Sequence, residues 1–353
     1  MNTSESDYKL KLSGMYIELT SSCNMQCPYC YNDSGNSGIY LDKKYIFKLL
    51  DELSERKIYR VVFSGGEPFL HKDIYELIKY SVSRNIKTTI ISNLSLLSQN
   101  DMRALLCDNI ALQVTYDDIS PVLNDASRGK GSFDKNSLLL STAKELNCLD
   151  KVEIRFNISK NNYIETEDFV KYIKGLGYAK VHFSFLHKSG RGTKYTAVFD
   201  YKEDVLLLKK ILTDLQNLKE HYEDSANITY GELDKGFGCA FFGSGNIECS
   251  PRIDPNGNVF LCQLFSGAEK SLGNIKECSS VDRLLGSDTA YTVTDRVRSR
   301  KSNLLNCKSC PFDEVCMGGC PAIAYNTTHD INGLDGQCHM IKYTLKQRLA
   351  NLK

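Results

Sequence analysis

Three closely spaced cysteines follow the first candidate β-strand and are the residues best suited to metal chemistry. The segment TSSCNMQCPYC, residues 20–30, places Cys23, Cys27 and Cys30 at C-x3-C-x2-C spacing. A zinc ion at this site would need a fourth ligand from a distant part of the chain. A 4Fe–4S cluster held by three thiolates would instead leave its fourth iron free to bind a small molecule. The spacing alone leaves both interpretations open.

A second set of cysteines lies in the last third of the chain. CKSCPFDEVCMGGC (307–320) has the spacing C-x2-C-x5-C-x3-C, and CSPRIDPNGNVFLC (249–262) sets two cysteines around a hairpin turn. A structural zinc ribbon would explain a C-x2-C pair taken alone. The chain has 14 cysteines in 353 residues. Because reducing compartments keep thiols free, we expect metal binding rather than a disulfide framework.

The charge balance implies no polyanionic partner, and the lack of a signal peptide and of a membrane span predicts a cytoplasmic protein. Lys+Arg number 44 and Asp+Glu number 43, so a net charge of +1 gives no indication of a nucleic-acid partner. The first fourteen residues, MNTSESDYKLKLSG, are polar and lack the apolar core of a signal peptide. No apolar run is long enough to span a bilayer, so we expect no membrane partner.

The elements that must position the first cysteines alternate between β and α patterns. Helical periodicity is predicted for residues 42–57, 73–85, 166–178 and 204–222. The predicted strands are MYIELT (15–20), RVVFSGG (60–66), KTTIISN (87–93), ALQVTYD (111–117), KVEIRFNIS (151–159) and KVHFSFL (180–186).

This alternation predicts an α/β fold with a parallel sheet and right-handed crossovers. Six βα units are too few for a closed eight-fold barrel, so we expect a partial (β/α)6 TIM-like barrel over residues 15–234. Residues 1–14 are expected to be an N-terminal extension. From residue 235 to 353 the βα rhythm gives way to cysteines, glycines and turns, which predicts a small metal-stapled domain with a closing helix, IKYTLKQRLANL.

Three motifs leave the carboxyl ends of consecutive predicted strands. The loop with Cys23 follows the first strand, FSGGEP (63–68) ends the second, and ISN (91–93) ends the third. In parallel βα barrels the chemistry gathers at this face. The shared location favours the cluster over zinc at the first cysteine site.

The sequence resembles the radical S-adenosylmethionine (SAM) enzymes through two motifs: C-x3-C-x2-C with an aromatic, Tyr29, before the last cysteine, and GGEP after the second strand. The resemblance implies that the amino and carboxylate groups of SAM complete a 4Fe–4S cluster on Cys23, Cys27 and Cys30. It also implies that reductive cleavage of SAM yields a 5′-deoxyadenosyl radical, a reactivity that the cofactor supplies.

The same resemblance implies residues that bind SAM. Gly65, Gly66 and Glu67 would face its amino group, where glycine permits close backbone approach and the carboxylate suits an ammonium. Without the cysteines, GGEP would be read as an ordinary turn. Ser92 and Thr115 match hydroxyls placed near the ribose, with an ordinary strand-end role as the alternative.

An arginine is also implied, to grip the SAM carboxylate with its planar fork. The segment NDASRGKGSF (124–133) points to Arg128 for this role, with a solvated surface arginine as the alternative. Arg155, inside the fifth predicted strand, is the second candidate because its side chain could point into the barrel.

The tail resembles the SPASM extension of radical SAM enzymes, which binds auxiliary Fe–S clusters, here expected to be two 4Fe–4S clusters. Cys307, Cys310, Cys316 and Cys338 would hold the outer cluster. The inner cluster would be held by Cys239, Cys249, Cys262 and Cys320. The spacing upstream of Gly257 departs from the family pattern, so Cys249 and the number of protein ligands on the inner cluster stay open. Cys107, Cys148 and Cys278 are interpreted as ordinary buried thiols.

The resemblance implies a radical SAM enzyme that oxidatively modifies a ribosomally made peptide, forming a thioether, carbon–carbon or related crosslink. Gln263 follows Cys262 where sulfatase-maturating relatives carry an aspartate base, which disfavours Cys/Ser oxidation. Only 22 residues precede Cys23, so a separate leader-binding protein or direct docking of the precursor peptide is expected. The implied reductant is a flavodoxin- or ferredoxin-type donor. The alternatives are a small-molecule dehydrogenase or epimerase and a non-catalytic zinc-binding interaction protein.

Overall fold

The computed structural model describes residues 7–36, 38–108, 110–230, 239–242, 244–265, 270–278 and 280–351. Most of its strands belong to one ten-stranded sheet. The strands are β1 Tyr8–Leu12, β2 Met15–Thr20, β3 Arg60–Gly65, β4 Lys87–Ile91, β5 Ile110–Tyr116, β6 Val152–Ile158, β7 Lys180–Phe185, β8 Asn227–Tyr230, β9 Gly245–Cys249, β10 Arg252–Ile253, β11 Asn258–Phe260 and β12 Gly273–Asn274.

Helices alternate with the strands of the first half, and further helices lie in the tail. They are α1 Lys43–Glu55, α2 Ile74–Ser83, α3 Gln99–Cys107, α4 Pro121–Arg128, α5 Ser132–Glu145, α6 Thr166–Gly175, α7 Val205–His221, α8 Val281–Leu285, α9 Asp288–Asn303, α10 Asp313–Cys316, α11 Pro321–Thr328 and α12 Cys338–Asn351.

The barrel portion of the sheet runs β2-β3-β4-β5-β6-β7-β8, with every neighbouring pair parallel. All six residues of β2 are buried, as expected for a parallel strand covered on both faces. The amphipathic helices bury one face each; α1, for example, buries Ile46, Leu49 and Leu53. The six-unit α/β barrel predicted from the sequence is therefore confirmed, in an open form.

The structure corrects the predicted elements at several points. The six predicted strands are present, the first with the predicted bounds. The other five end one or two residues earlier, because residues such as Gly66 and Asn93 already belong to the loops. A seventh parallel strand, β8, follows α7, and the sequence prediction omitted it. Three helices of the barrel, α3, α4 and α5, were also not predicted. The closing helix is confirmed but begins three residues earlier, at Cys338.

The tail and the barrel share backbone pairing. β10 pairs parallel with β2, while β11 and β12 extend the same sheet through antiparallel pairing. The expected N-terminal extension contains β1, which pairs parallel with β9 and buries alternate side chains. The segment around the predicted boundary at residues 234 and 235 lies outside the described residues. The N-terminal strand β1 therefore pairs with the tail, and the tail in turn pairs with β2 of the barrel sheet.

Candidate metal and SAM site

The loop with Cys23, Cys27 and Cys30 leaves the carboxyl end of β2 and is pinned to the end of β3. Gly66 N donates to Thr20 O at 2.7 Å, and Glu67 N donates to Ser22 O at 2.8 Å. A Cβ on Gly65 or Gly66 would overlap the backbone of Thr20 or Ser22. The glycine pair therefore permits the two loops to pack together, a role that the sequence prediction did not assign to it.

The thiols of this loop are partly buried and lie beside polar groups. Met25 N donates to Cys23 Sγ at 3.4 Å, and Asn93 Nδ2 lies 3.9 Å from the same sulfur. Burial raises the pKa of the Cys23 thiol, and the hydrogen bond from Met25 opposes that shift. Burial likewise raises the pKa of the Cys27 thiol, and the cationic Arg128 opposes it. Amide donors and guanidinium groups are suited to a cluster ligated by thiolates.

The carboxylate of Glu67 is buried and satisfied by the end of β4. It accepts hydrogen bonds from Ser92 Oγ at 2.8 Å, Asn93 N at 2.8 Å and Phe69 N at 3.1 Å. Burial raises its pKa, while these hydrogen bonds act in the opposite direction. Glu67 and Ser92 are thus brought into direct contact, and together they link the GGEP segment to the ISN segment.

Arg128, at the end of α4, lies beside the cysteine loop. Its Nη1 donates to the Tyr29 hydroxyl at 3.0 Å and lies 3.8 Å from Asp117 Oδ1. Its backbone carbonyl is 3.9 Å from Cys27 Sγ. Burial alone would lower the pKa of the guanidinium, but neighbouring Tyr29 and Asp117 raise it overall. The surface-arginine alternative is wrong, because the Arg128 side chain is only 12% exposed.

Asp117 organises the polar groups around Arg128, and the sequence prediction missed it. Its carboxylate hydrogen-bonds the Tyr29 hydroxyl, Ser127 Oγ at 2.6 Å and Asn157 Nδ2 at 3.1 Å. Asp117 directly follows β5, so the strand-end rule that selected the other site residues would also have selected it.

A cavity of about 480 Å³ opens beside these groups. Tyr29, Asp117, Asn157 and Tyr195 supply part of its wall, and Leu123 and Leu186 supply apolar surface. This volume suits a small molecule that combines polar and apolar parts. Thr115, the next-to-last residue of β5, is partly buried and is not among the residues lining this cavity.

Arg155 occupies a different position from Arg128. It lies opposite Thr115 on β5 and His182 on β7, and its Nη2 is 3.4 Å from Gln113 Oε1. Burial lowers the pKa of this guanidinium. The structure gives Arg155 no hydrogen bond to the cysteine loop among the described contacts, whereas Arg128 touches it.

A buried ion pair joins the barrel to the tail. Arg252 on β10 places Nη1 3.4 Å from Glu18 Oε1 on β2, and Asn32 Nδ2 donates to the same oxygen at 2.9 Å. Burial raises the pKa of Glu18 even though the neighbouring Arg252 lowers it. This pair connects the strand that leads to Cys23 with the hairpin between Cys249 and Cys262.

The tail cysteines fall into two neighbourhoods. Burial raises the pKa of the Cys307 thiol, and the charge of Cys338 adds to that shift. Burial raises the pKa of the Cys316 thiol to about 11, and the charge of Cys338 contributes there as well. Burial also raises the pKa of the Cys338 thiol, and the charge of Cys310 adds to that shift. These four are the residues expected around the outer cluster.

The second neighbourhood contains Cys249, Cys262 and Cys320. Burial raises the pKa of Cys320 to about 12, and the charge of Cys262 adds to the shift. The same two causes raise the pKa of Cys249 to about 12, although the Lys11 backbone opposes them. Cys239 is partly buried against the apolar core. Of the three thiols expected to be ordinary and buried, Cys107 is exposed, so that expectation is wrong for it, and Cys148 and Cys278 are partly buried. No group of three or more His, Cys, Asp or Glu side chains suited to a single metal ion occurs within the described ranges.

Buried polar residues hold the tail loops together. Arg300 is fully buried and donates to the carbonyls of Gly318, Ile331 and Gly333. Asp335 accepts from Cys320 N at 2.8 Å and from Gln337 N at 2.9 Å. Across the described part of the chain, no helix combines the length and apolarity needed to cross a membrane.

Residues 17–173 match the family described as the radical SAM superfamily. The chain therefore carries a radical SAM domain over residues 17–173, and its overall fold is similar to that of solved structures with bound AdoMet. That family implies a 4Fe–4S cluster and SAM as cofactors.

Known relatives cover most of the chain. Mycofactocin maturase MftC of Mycobacterium tuberculosis (strain ATCC 25618 / H37Rv) is 25% identical over 325 residues, which cover 91% of this chain and 81% of MftC. PqqA peptide cyclase of Granulibacter bethesdensis (strain ATCC BAA-1260 / CGDNIH1) is 25% identical over 342 residues, covering 92% and 86%. Among solved structures, anSMEcpe with bound AdoMet and Kp18Cys peptide has a TM-score of 0.75 at 17% identity, covering 97% of this chain and 99% of that chain. The structural likeness establishes the fold.

Proposed function

We propose that this enzyme uses a 5′-deoxyadenosyl radical to modify a ribosomally made precursor peptide oxidatively, by a thioether, carbon–carbon or related crosslink. The observation that carries the proposal is the joint position of a three-cysteine loop and the Tyr29–Arg128–Asp117 group at the carboxyl ends of the barrel strands. Relatives named as a maturase and as a peptide cyclase supply the substrate class.

The residues present fit a 4Fe–4S cluster with SAM. Cys23, Cys27 and Cys30 would hold the cluster, with the Met25 amide and the Arg128 guanidinium beside the thiols. When bound, the cluster and SAM together supply the radical. The protein's own residues then have three tasks: to hold SAM, to exclude water and to place the peptide.

SAM would lie between Arg128 and the cavity. Arg128 is the better candidate for the carboxylate than Arg155, because Arg128 contacts the cysteine loop. Gly65, Gly66 and Glu67 support the loop beside it, and Ser92 completes the hydrogen bonding of Glu67. Tyr29 and Asp117 line the cavity that suits the adenosine part, with Thr115 nearby on β5.

The tail would hold two auxiliary clusters, each 4Fe–4S. The outer one is assigned to Cys307, Cys310, Cys316 and Cys338, and the inner one to Cys239, Cys249, Cys262 and Cys320. The neighbouring thiols in each set support the assignment, least strongly for Cys239. These clusters suit removal of an electron from the substrate radical, which makes the overall change an oxidation.

The domain limits follow from this division of tasks. Residues 15–234 are assigned to the radical SAM barrel and 235–353 to the SPASM domain with its closing helix, with 1–14 as an extension that contains β1. Precursor peptide, a separate leader-binding protein and a flavodoxin- or ferredoxin-type donor are the proposed partners, in the cytoplasm.

The test uses anaerobically reconstituted protein, SAM, a reductant and the peptide encoded by a short reading frame beside the gene. Formation of 5′-deoxyadenosine together with a crosslinked peptide that has lost hydrogen is the expected result by mass spectrometry. Cleavage of SAM with an unchanged peptide, and conversion of an amino sugar or other small molecule instead, would refute the peptide substrate while leaving the radical chemistry in place.

A further inference from the structure

We infer that Arg191 is a positioning residue that holds the cysteine loop in the shape that binds the cluster, a role that rests on the proposed function. Arg191 lies in the 3₁₀ turn Gly190–Thr193, which follows β7. Its Nε donates to Cys27 O at 2.9 Å, and its Nη1 donates to Ser34 O at 2.7 Å. The Arg191 side chain, which follows β7, thus binds the cysteine loop at two carbonyls, one at Cys27 and one at Ser34.

The backbone of the same turn also binds this loop. Arg191 N donates to Cys30 O at 3.0 Å, so one residue holds the carbonyls of Cys27 and Cys30. Gly190 has φ of +53°, and a Cβ there would overlap the carbonyl oxygens of Cys30 and Tyr31. The turn can approach so closely only because residue 190 is glycine.

The chemistry of arginine suits this role better than that of lysine. The acceptors lie in different directions around one planar guanidinium, whose donors have a fixed geometry. An ammonium at the end of a flexible chain would not satisfy the same set of carbonyls. Fixing these carbonyls restricts the backbone from which the Cys27 and Cys30 thiols project, as outer groups do at other metal sites.

The ion pair of Arg191 with Asp33 contributes little to this role. Nη1 is 3.0 Å from Asp33 Oδ1, but the Asp33 side chain is 67% exposed. Exposed pairs of this kind contribute little, because water and salt screen them. The carbonyl contacts therefore carry the role, and Asp33→Asn should leave cluster retention unchanged.

The test compares wild-type holoprotein with Arg191→Gln, Arg191→Lys and the control Lys188→Gln. Lys188 lies just before the same turn and pairs with Asp200 at 2.6 Å; within the described ranges it has no ion pair with the cysteine loop. Iron transfer to a chelator is followed by electron paramagnetic resonance, which separates the SAM-responsive cluster from the tail clusters in the same molecule. Circular dichroism reports whether each variant is folded.

We expect Arg191→Gln to lose the SAM-responsive cluster about 10-fold faster or more, the scale typical of outer-shell changes at metal sites. The tail clusters and Lys188→Gln should keep wild-type rates, and Arg191→Lys should fall between. Equal acceleration of all clusters would assign Arg191 a general structural role and overturn the inference, as would an unchanged rate. Wild-type protein without any SAM-responsive cluster would instead refute the proposed function.

Discussion

The barrel loop and the tail hold their cysteines in different ways. The loop with Cys23, Cys27 and Cys30 is bound by backbone groups of the β3 end, by Arg128 and by Arg191. Burial raises the pKa of Cys23 and Cys27 in the loop, and in the tail it raises the pKa of Cys316 to about 11 and that of Cys320 to about 12. Arg300 there binds carbonyl oxygens.

The two regions should differ in how strongly cluster binding is coupled to folding. The barrel loop is bound by groups from three other segments, whereas in the tail burial of Cys316 and Cys320 disfavours ionisation of their thiols. Metal ligation replaces their protons and couples cluster binding to folding. We therefore expect the fold around Cys316 and Cys320 to depend more on bound clusters than the loop with Cys23, Cys27 and Cys30 does.

The largest expected effect comes from changing Cys23, Cys27 and Cys30 together to Ala. This variant should lose all SAM cleavage and about four irons, because a 4Fe–4S cluster would have no thiolates there. Iron analysis and quantification of 5′-deoxyadenosine measure both. The clusters of the tail should remain, because the tail keeps its own cysteines. Continued production of 5′-deoxyadenosine would contradict the assignment of Cys23, Cys27 and Cys30 as the ligands of the cluster that cleaves SAM.

Cys310→Ala should separate the two regions in the other direction. Loss of one thiolate makes the outer cluster labile, while the barrel keeps every residue assigned to SAM cleavage. Under dithionite, uncoupled SAM cleavage should survive and peptide modification should fall to near nothing. A folded variant that still makes full product would refute an electron-transfer role for the outer cluster, and loss of both activities with unfolding would show that the tail acts as a structural staple.

Glu67→Gln tests the protein-made support of the barrel loop. The carboxylate accepts three hydrogen bonds, and the amide nitrogen of Gln would oppose a donor at one of these positions. We expect a loss of about 1–3 kcal/mol in the free energy of unfolding, measured by denaturant titration, together with weaker SAM binding. As a control, Glu76→Gln removes only an exposed pair with Lys43 and should cost less than about 1 kcal/mol. Equal effects of the two changes would contradict the special role of Glu67.

The smallest expected effect concerns pH. Burial lowers the pKa of His187 from its ordinary value of 6.5, and its buried Nδ1 has no hydrogen-bond partner among the described residues. The folded state therefore favours neutral imidazole, so this stability is present above pH 6.5 and is lost as pH falls towards the folded pKa. Wild-type protein should lose up to about 1.4 kcal/mol per pH unit more than His187→Gln between pH 6.5 and 5.5. Parallel pH profiles of the two proteins would show that His187 is not responsible.

The sequence was informative where a pattern is long or chemically specific. β-Branched and aromatic residues recur in strands such as β3, RVVFSG, and the cysteine spacings indicate thiolate sites. The two-residue strands β10 and β12 are too short to show a period, so their addition to the barrel sheet could not be predicted. The hydrogen bond from Arg191 to the Cys27 carbonyl joins residues that lie far apart in the sequence, and no local sequence pattern predicts such a contact.

The most direct measurement of the central claim is the metal content of anaerobically reconstituted protein, with its visible and paramagnetic spectra. We expect about twelve irons per chain, or eight to eleven if the inner cluster is incomplete, and a reduced signal that changes when SAM is added. Stoichiometric zinc with no iron uptake would contradict the account of both regions.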